Sequence, residues 1–78
     1  MIKSQTSISG IIIPAEWDKN GEIISTAIVT FDEDLFVILN NRFGRNMTNY
    51  LRETVIVTGY VTFAGSIKKI DISRFQIH

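Results

Sequence analysis

Residues 54–63 alternate between two sets of side chains, and this alternation constrains the fold more than any other feature of the sequence. Three of the five residues on one parity are valine, and three of the five on the other are threonine. Because successive side chains of a strand point to opposite faces, the pattern is typical of a half-buried β-strand. With 78 residues and no cysteine, the chain has room for one core and no disulfide to support it. We therefore expect one β-rich domain over residues 1–78.

Four further strands are predicted by runs of β-branched residues bounded by turn signals. They span residues 4–15, 22–31, 35–39 and 67–77. Gly10 interrupts the first strand where both of its faces are apolar, which indicates a bend. The apolar parity of the last strand flips after Ile72, which indicates a bulge near Ser73 and Arg74.

The period changes to a helical one between the third and fourth strands. The apolar residues there recur at i, i+4, i+7 and i+8, and they are Phe43, Met47, Tyr50 and Leu51. We expect a helix from Gly44 to about Arg52. A helix of two to three turns is not stable in isolation, so it must pack against the strands.

The pattern of the second strand indicates which residues face the core and which face outward. Its odd-numbered residues are the expected core face, because the small Ser25 and Ala27 suit the interior of a tight barrel. The large apolar residues on the opposite parity of the second and third strands would then be exposed, and they are Ile24, Ile28, Phe36 and Ile38. Such a patch needs a covering element or a partner. The alternative is the reversed parity, with both sides of a strongly coiled sheet partly buried.

The order of three strands, a short helix and two strands resembles the OB-fold, the five-stranded Greek-key barrel of oligonucleotide- and oligosaccharide-binding domains. The segments that carry the resemblance are Ser9–Ile11, Val55–Gly59, Ile70–Ile72 and Phe75. The chain is similar to the small stand-alone bacterial OB-like domains of unassigned function. The competing architecture is a five-stranded SH3-like barrel, which usually has no helix at this position. The resemblance implies a ligand face on the second and third strands.

Enzyme chemistry is not expected from this sequence. The only histidine is His78, the last residue, and no glycine-rich phosphate loop is present. The acidic run Asp32–Asp34 lacks the spacing of a calcium loop and is expected to be a solvated turn. We therefore expect no catalytic residue, no metal site and no cofactor.

The formal net charge of zero is the sum of two halves of the sequence with opposite net charges. Residues 1–40 hold two basic and six acidic side chains, a net charge of −4, and residues 41–78 hold six basic and two acidic ones, a net charge of +4. A single-stranded nucleic acid would need stacking aromatics, for which Trp17, Phe36 and Tyr60 are the candidates. Its phosphates would contact Lys68, Lys69 and Arg74. The carboxylates of Glu16, Asp18 and Glu22 beside the first turn would repel it.

The sequence therefore predicts a non-enzymatic binding or adaptor module. The predicted binding surface is the outer face of the second and third strands with the first hairpin, and it comprises Trp17, Ile24, Ile28, Phe36, Ile38 and Tyr60. We expect a protein partner or self-association through this surface. Single-stranded nucleic-acid binding is the alternative, and a small-molecule or oligosaccharide site on the same face is a third possibility.

Location follows from what the N-terminal sequence lacks. No apolar signal-peptide core and no membrane-length apolar run is present, so no membrane association is expected. The cytoplasm is the expected location, although a chain from which a leader had been removed would look the same.

Overall fold

The computed structural model describes residues 5–77. Its elements in chain order are β1 (Thr6–Trp17), β2 (Ile23–Thr30), β3 (Leu35–Ile38), α1 (Arg42–Asn46), a 3₁₀ helix (Met47–Tyr50), β4 (Thr54–Ala64) and β5 (Ile67–Ile77). The predicted order of three strands, a helix and two strands is confirmed. The predicted single helix is instead a short α-helix followed directly by one 3₁₀ turn, and it begins two residues earlier than expected.

The five strands close into a barrel in the spatial order β1-β2-β3-β5-β4. All neighbouring strands are antiparallel except β3 and β5, which pair in parallel through Val37 with Lys69 and Ile38 with Ile70. This small closed barrel, with a helix between β3 and β4, is consistent with an OB-fold-like domain. A helix at this position is not usual in the SH3-like alternative.

β1 joins β4 to β2, and it changes partner along its length. Its first half pairs with β4 and its second half with β2, and Gly10 takes part in both ladders, opposite Thr30 and Val55. The strands approach so closely there that a Cβ atom at position 10 would lie 2.2 Å from the carbonyl oxygen of Val29. Only glycine fits this position without moving backbone.

The core consists of the residues that point into the barrel, and they are Ile8, Ile12, Ile28, Ile38, Met47, Val55, Val57, Ile70 and Ile72. On β2, Ile28 is fully buried and Thr26 nearly so, and Ile38 of β3 is 4 % exposed. The expectation that the odd-numbered residues of β2 face the core is therefore wrong. The reversed parity holds from Thr26 onward, and Ile28 and Ile38 are core residues.

The helical segment closes one end of the barrel. Met47 is fully buried in the core, and the other three residues of the predicted stripe, Phe43, Tyr50 and Leu51, pack against it partly buried. Two of these residues pack against Phe75 of β5, whose ring lies 6.2 Å from that of Phe43 and 5.5 Å from that of Tyr50. The predicted apolar stripe is therefore confirmed as the docking face.

Asn41 fixes where the helix begins. Its side-chain oxygen accepts a hydrogen bond from the Gly44 amide at 2.7 Å, a normal N-cap contact. Its Nδ2 donates to the Ile72 carbonyl oxygen at 3.1 Å and also to Asp71. One side chain thus caps α1 and ties it to β5.

The predicted bulge in the last strand is confirmed. Thr58 of β4 pairs with Arg74, and the next residue, Gly59, pairs with Ile72, so Ser73 is the extra residue. The Ser73 hydroxyl donates to the Thr58 carbonyl oxygen at 3.1 Å. The bulge changes the parity so that both Ile72 and Phe75 can pack against the core.

Replacing Gly10 by alanine is expected to lower the free energy of unfolding by about 3 kcal/mol, because the new methyl group would overlap backbone atoms that barrel closure holds in place. Urea denaturation measures the change. The matched control is Ser9→Ala at the neighbouring exposed position, which is expected to stay within about 0.5 kcal/mol of the wild type. Equal stability of the two variants would show that the close approach is not a constraint.

Candidate functional site

The outer surface of β1, β2, β3 and β5 carries a continuous aliphatic face. It consists of Ile11, Ile13, Val29, Leu35, Val37 and Ile67, called the aliphatic face below. Cross-strand pairing joins Ile11 to Val29 and Val29 to Leu35 in one row. The parallel register places Ile67 level with Leu35, two residues before the pair of Val37 and Lys69. Leu35 is 47 % exposed and Ile67 is 50 % exposed.

Ala27 lies within the aliphatic face, yet it is buried. It pairs with Ile13 on one side and with Val37 on the other, and the two larger side chains cover its methyl group. A small residue on an outer face can therefore be buried by its neighbours alone. This explains why the small residues of β2 do not mark the barrel interior.

The structure does not bring the six predicted surface residues together. Ile28 and Ile38 are in the core, and Phe36 points inward and packs against the core half-buried. Trp17 at the end of β1 and Ile24 near the start of β2 are each 56 % exposed and lie beside the first hairpin turn. The predicted location on β2 and β3 coincides with an exposed apolar surface, but the parity of the residues assigned to it is wrong.

Tyr60 lies on β4, outside the aliphatic face. It is half-buried opposite Asp71, and its hydroxyl group lies 3.4 Å from the side-chain nitrogen of Gln5. Neither β2 nor β3 pairs with β4 in the barrel. Tyr60 and Trp17 therefore do not form one stacking platform with Phe36.

The three predicted phosphate-contacting residues have different surroundings. Lys68 forms an ion pair with Asp34 at 2.5 Å and lies 5.3 Å from the centre of the Phe36 ring. It is therefore already occupied by a carboxylate and an aromatic ring. Lys69 is half-buried beside Val37, and Arg74 is exposed opposite Thr58.

An open groove of about 570 Å³ lies beside the aliphatic face. Its walls are the first half of β2, the end of β3 and the helix α1, and its charged lining residues are Glu16, Arg45 and Lys69. The groove exists because β3 pairs with β2 only over Ala27–Val29 and then follows β5, where the Leu39 amide donates to the Ile70 carbonyl oxygen at 2.9 Å. We call this cavity the β2 groove.

The acidic turn between β2 and β3 is held by Thr30. The Thr30 hydroxyl donates to Asp32 at 2.7 Å and accepts from the Asp34 amide at 3.0 Å. The hydrogen bond from Thr30, with a smaller contribution from Lys68, lowers the pKa of Asp32 below its ordinary value. Among residues 5–77 the structure shows no group of three or more histidine or carboxylate side chains arranged to hold a metal ion.

Sequence reasoning missed the aliphatic face and Arg45 as site residues. The aliphatic face could have been predicted from β1 and β3, because both parities of these strands are apolar. This pattern indicates strands whose outer surface is also apolar. Pairing Leu35 with Val29 across the acidic turn would have placed both on one face. The position of Arg45 in a groove had no sequence signal, because it depends on where β3 leaves β2.

A comparison of the sequence with models of known protein families finds no match, and no curated protein is significantly similar to it. No helix in the described part of the chain has the length and apolar character needed to cross a membrane.

Replacing Thr30 by valine is expected to raise the pKa of Asp32 towards the ordinary value of 3.8, because the main hydrogen bond to the carboxylate is lost. The wild-type Asp32 carboxylate stabilises the fold above its unfolded pKa, and this contribution disappears as the pH falls through the lowered folded pKa. A carbon-13 NMR titration of the carboxyl group measures the pKa of Asp32, and urea denaturation at several pH values measures its contribution to stability. Thr62→Val, at an exposed threonine of β4, is the control, and equal Asp32 midpoints in the two variants would contradict the assignment.

Proposed function

We propose that the protein is a non-enzymatic binding module that contacts a protein partner or a second copy of itself through the aliphatic face. The observation that carries the proposal is the exposure of large aliphatic side chains in adjacent positions on neighbouring strands. Ile11, Leu35 and Ile67 are large and exposed, and Ile13, Val29 and Val37 lie half-buried between them. Contiguous apolar patches of this kind mark interaction surfaces of soluble proteins.

The composition of the face favours a protein over a nucleic acid. It contains no aromatic ring on which a base could stack and no basic side chain among its six members. Lys69 lies at its border beside Val37. An apolar centre with charged residues at the border is the usual anatomy of a protein–protein interface.

Single-stranded nucleic-acid binding is less well supported. Trp17 is exposed and free to stack a base, but Phe36 points inward and Lys68 is paired with Asp34. Quenching of Trp17 fluorescence by an oligonucleotide at low salt, reversed by added salt, would favour this alternative. The absence of enzymatic activity and a cytoplasmic location remain predictions from the sequence.

The variant Leu35→Asp tests the proposed surface, because it places a charge at the exposed centre of the face. We expect it to weaken binding of a partner or self-association by about tenfold or more, since a desolvated anchor residue is lost. Sedimentation equilibrium over a wide concentration range measures self-association, and affinity capture with quantitative mass spectrometry measures partner recovery.

Phe63→Asp is the matched control, because Phe63 is an apolar residue on β4 that is even more exposed than Leu35 and is not part of the aliphatic face. It is expected to behave like the wild type in both measurements. A wild-type protein that stays monomeric and captures the same proteins as Leu35→Asp would contradict the proposal.

A further inference from the structure

The β2 groove has an open strand edge as one of its walls. β2 pairs with β1 from Ile23 to Thr30, with Ile24 as the extra residue of a bulge, but β3 covers its other side only from Ala27 onward. Residues 23–25 therefore have a strand on one side and, among the described residues, none on the other. A sheet edge of this kind can pair with the main chain of an extended peptide.

The side chains that line the β2 groove fit a peptide better than a nucleic acid. Its apolar lining residues are aliphatic and include Ile24, Val37 and Leu39, and none of its lining residues is aromatic. Bases would find no stacking partner there. The carboxylate of Glu16 on the rim would also repel a phosphate chain.

Two cations of the β2 groove lack partners. Arg45 on α1 and Lys69 on β5 both line the cavity, and neither forms an ion pair with any side chain that the structure describes; the ion pair found among those side chains joins Lys68 to Asp34. Two basic side chains against one acidic one leave the groove with a net positive charge. A bound segment with acidic side chains would complement this charge.

From these observations we infer that the β2 groove binds an extended peptide segment with acidic side chains. The peptide main chain lies along the open edge of β2 at residues 23–25, its apolar side chains contact Ile24 and Leu39, and its carboxylates pair with Arg45 and Lys69. The inference goes beyond the proposed function, because the groove shares only Val37 with the aliphatic face. A segment of about four residues spans roughly 13 Å in this conformation.

An NMR titration of the isotope-labelled full chain tests the inference. The probe is a blocked heptapeptide that alternates valine with threonine, aspartate and glutamate. We expect saturable shifts of the amide signals at residues 23–26 and 38–40, where the groove wall is formed. A peptide with asparagine and glutamine in place of the acids, and one with N-methylated alternate amides, are both expected to bind at least about tenfold more weakly.

Protein variants make the test specific to the β2 groove. Arg45→Glu and Lys69→Glu are each expected to weaken peptide binding by about tenfold, because attraction between the groove and the acidic peptide becomes repulsion. Arg74→Glu, at an exposed position that does not line the groove, has the same change of charge and is expected to leave binding unchanged. Leu35→Asp is also expected to retain peptide binding, which separates this inference from the proposed function.

Three outcomes would overturn the inference. The first is the absence of shifts at millimolar peptide, and the second is shifts that map away from the β2 groove. The third is an affinity for the peptide that is the same in the Arg45→Glu and Lys69→Glu variants as in the wild type. Tight binding of a short oligothymidylate to the groove, with no binding of the acidic peptide, would assign the site to nucleic acid instead.

Discussion

Barrel closure by the parallel pairing of β3 with β5 is the constraint on which the rest of the structure depends. The pairing is short, with Ile38 opposite Ile70 as its last pair, yet it joins the first three strands to the last two. In a closed barrel, a strand without a bulge points one parity of its side chains into the interior and the other parity outward. Closure therefore decides that Ile28 and Ile38 are inside, and it places Leu35 and Val37 outside.

Both candidate surfaces are consequences of this closure. The aliphatic face contains the side chains of β1, β2, β3 and β5 that the filled interior cannot accommodate, so they stay in contact with water or with a partner. The β2 groove forms because β3 turns away from β2 to reach β5, which leaves residues 23–25 uncovered. Asn41 then holds α1 against β5, which places Arg45 on the wall of the same opening.

The sequence determines the elements of this fold more clearly than their orientation. Alternating valines, runs of β-branched residues and the stripe that includes Met47 predict each element to within about two residues, because these signals are local. Orientation is a tertiary property wherever both parities are apolar, as on β2 and β3. The small size of Ala27 was misleading there, since Ile13 and Val37 bury it from outside. The β2 groove forms where β3 separates from β2 to follow β5. No local sequence pattern predicts where two paired strands separate.

The orientation of β2 and β3 is the central claim, and methyl NMR with a soluble paramagnetic gadolinium chelate tests it most directly. Signals from methyl groups in contact with water are broadened by the chelate, whereas those in the barrel are protected. The structure predicts strong broadening for Leu35 and Ile67 and almost none for Ile28 and Ile38. Strong broadening of Ile28 and Ile38 with protection of Leu35 would contradict the account, because it would reverse the inner and outer faces of the sheet.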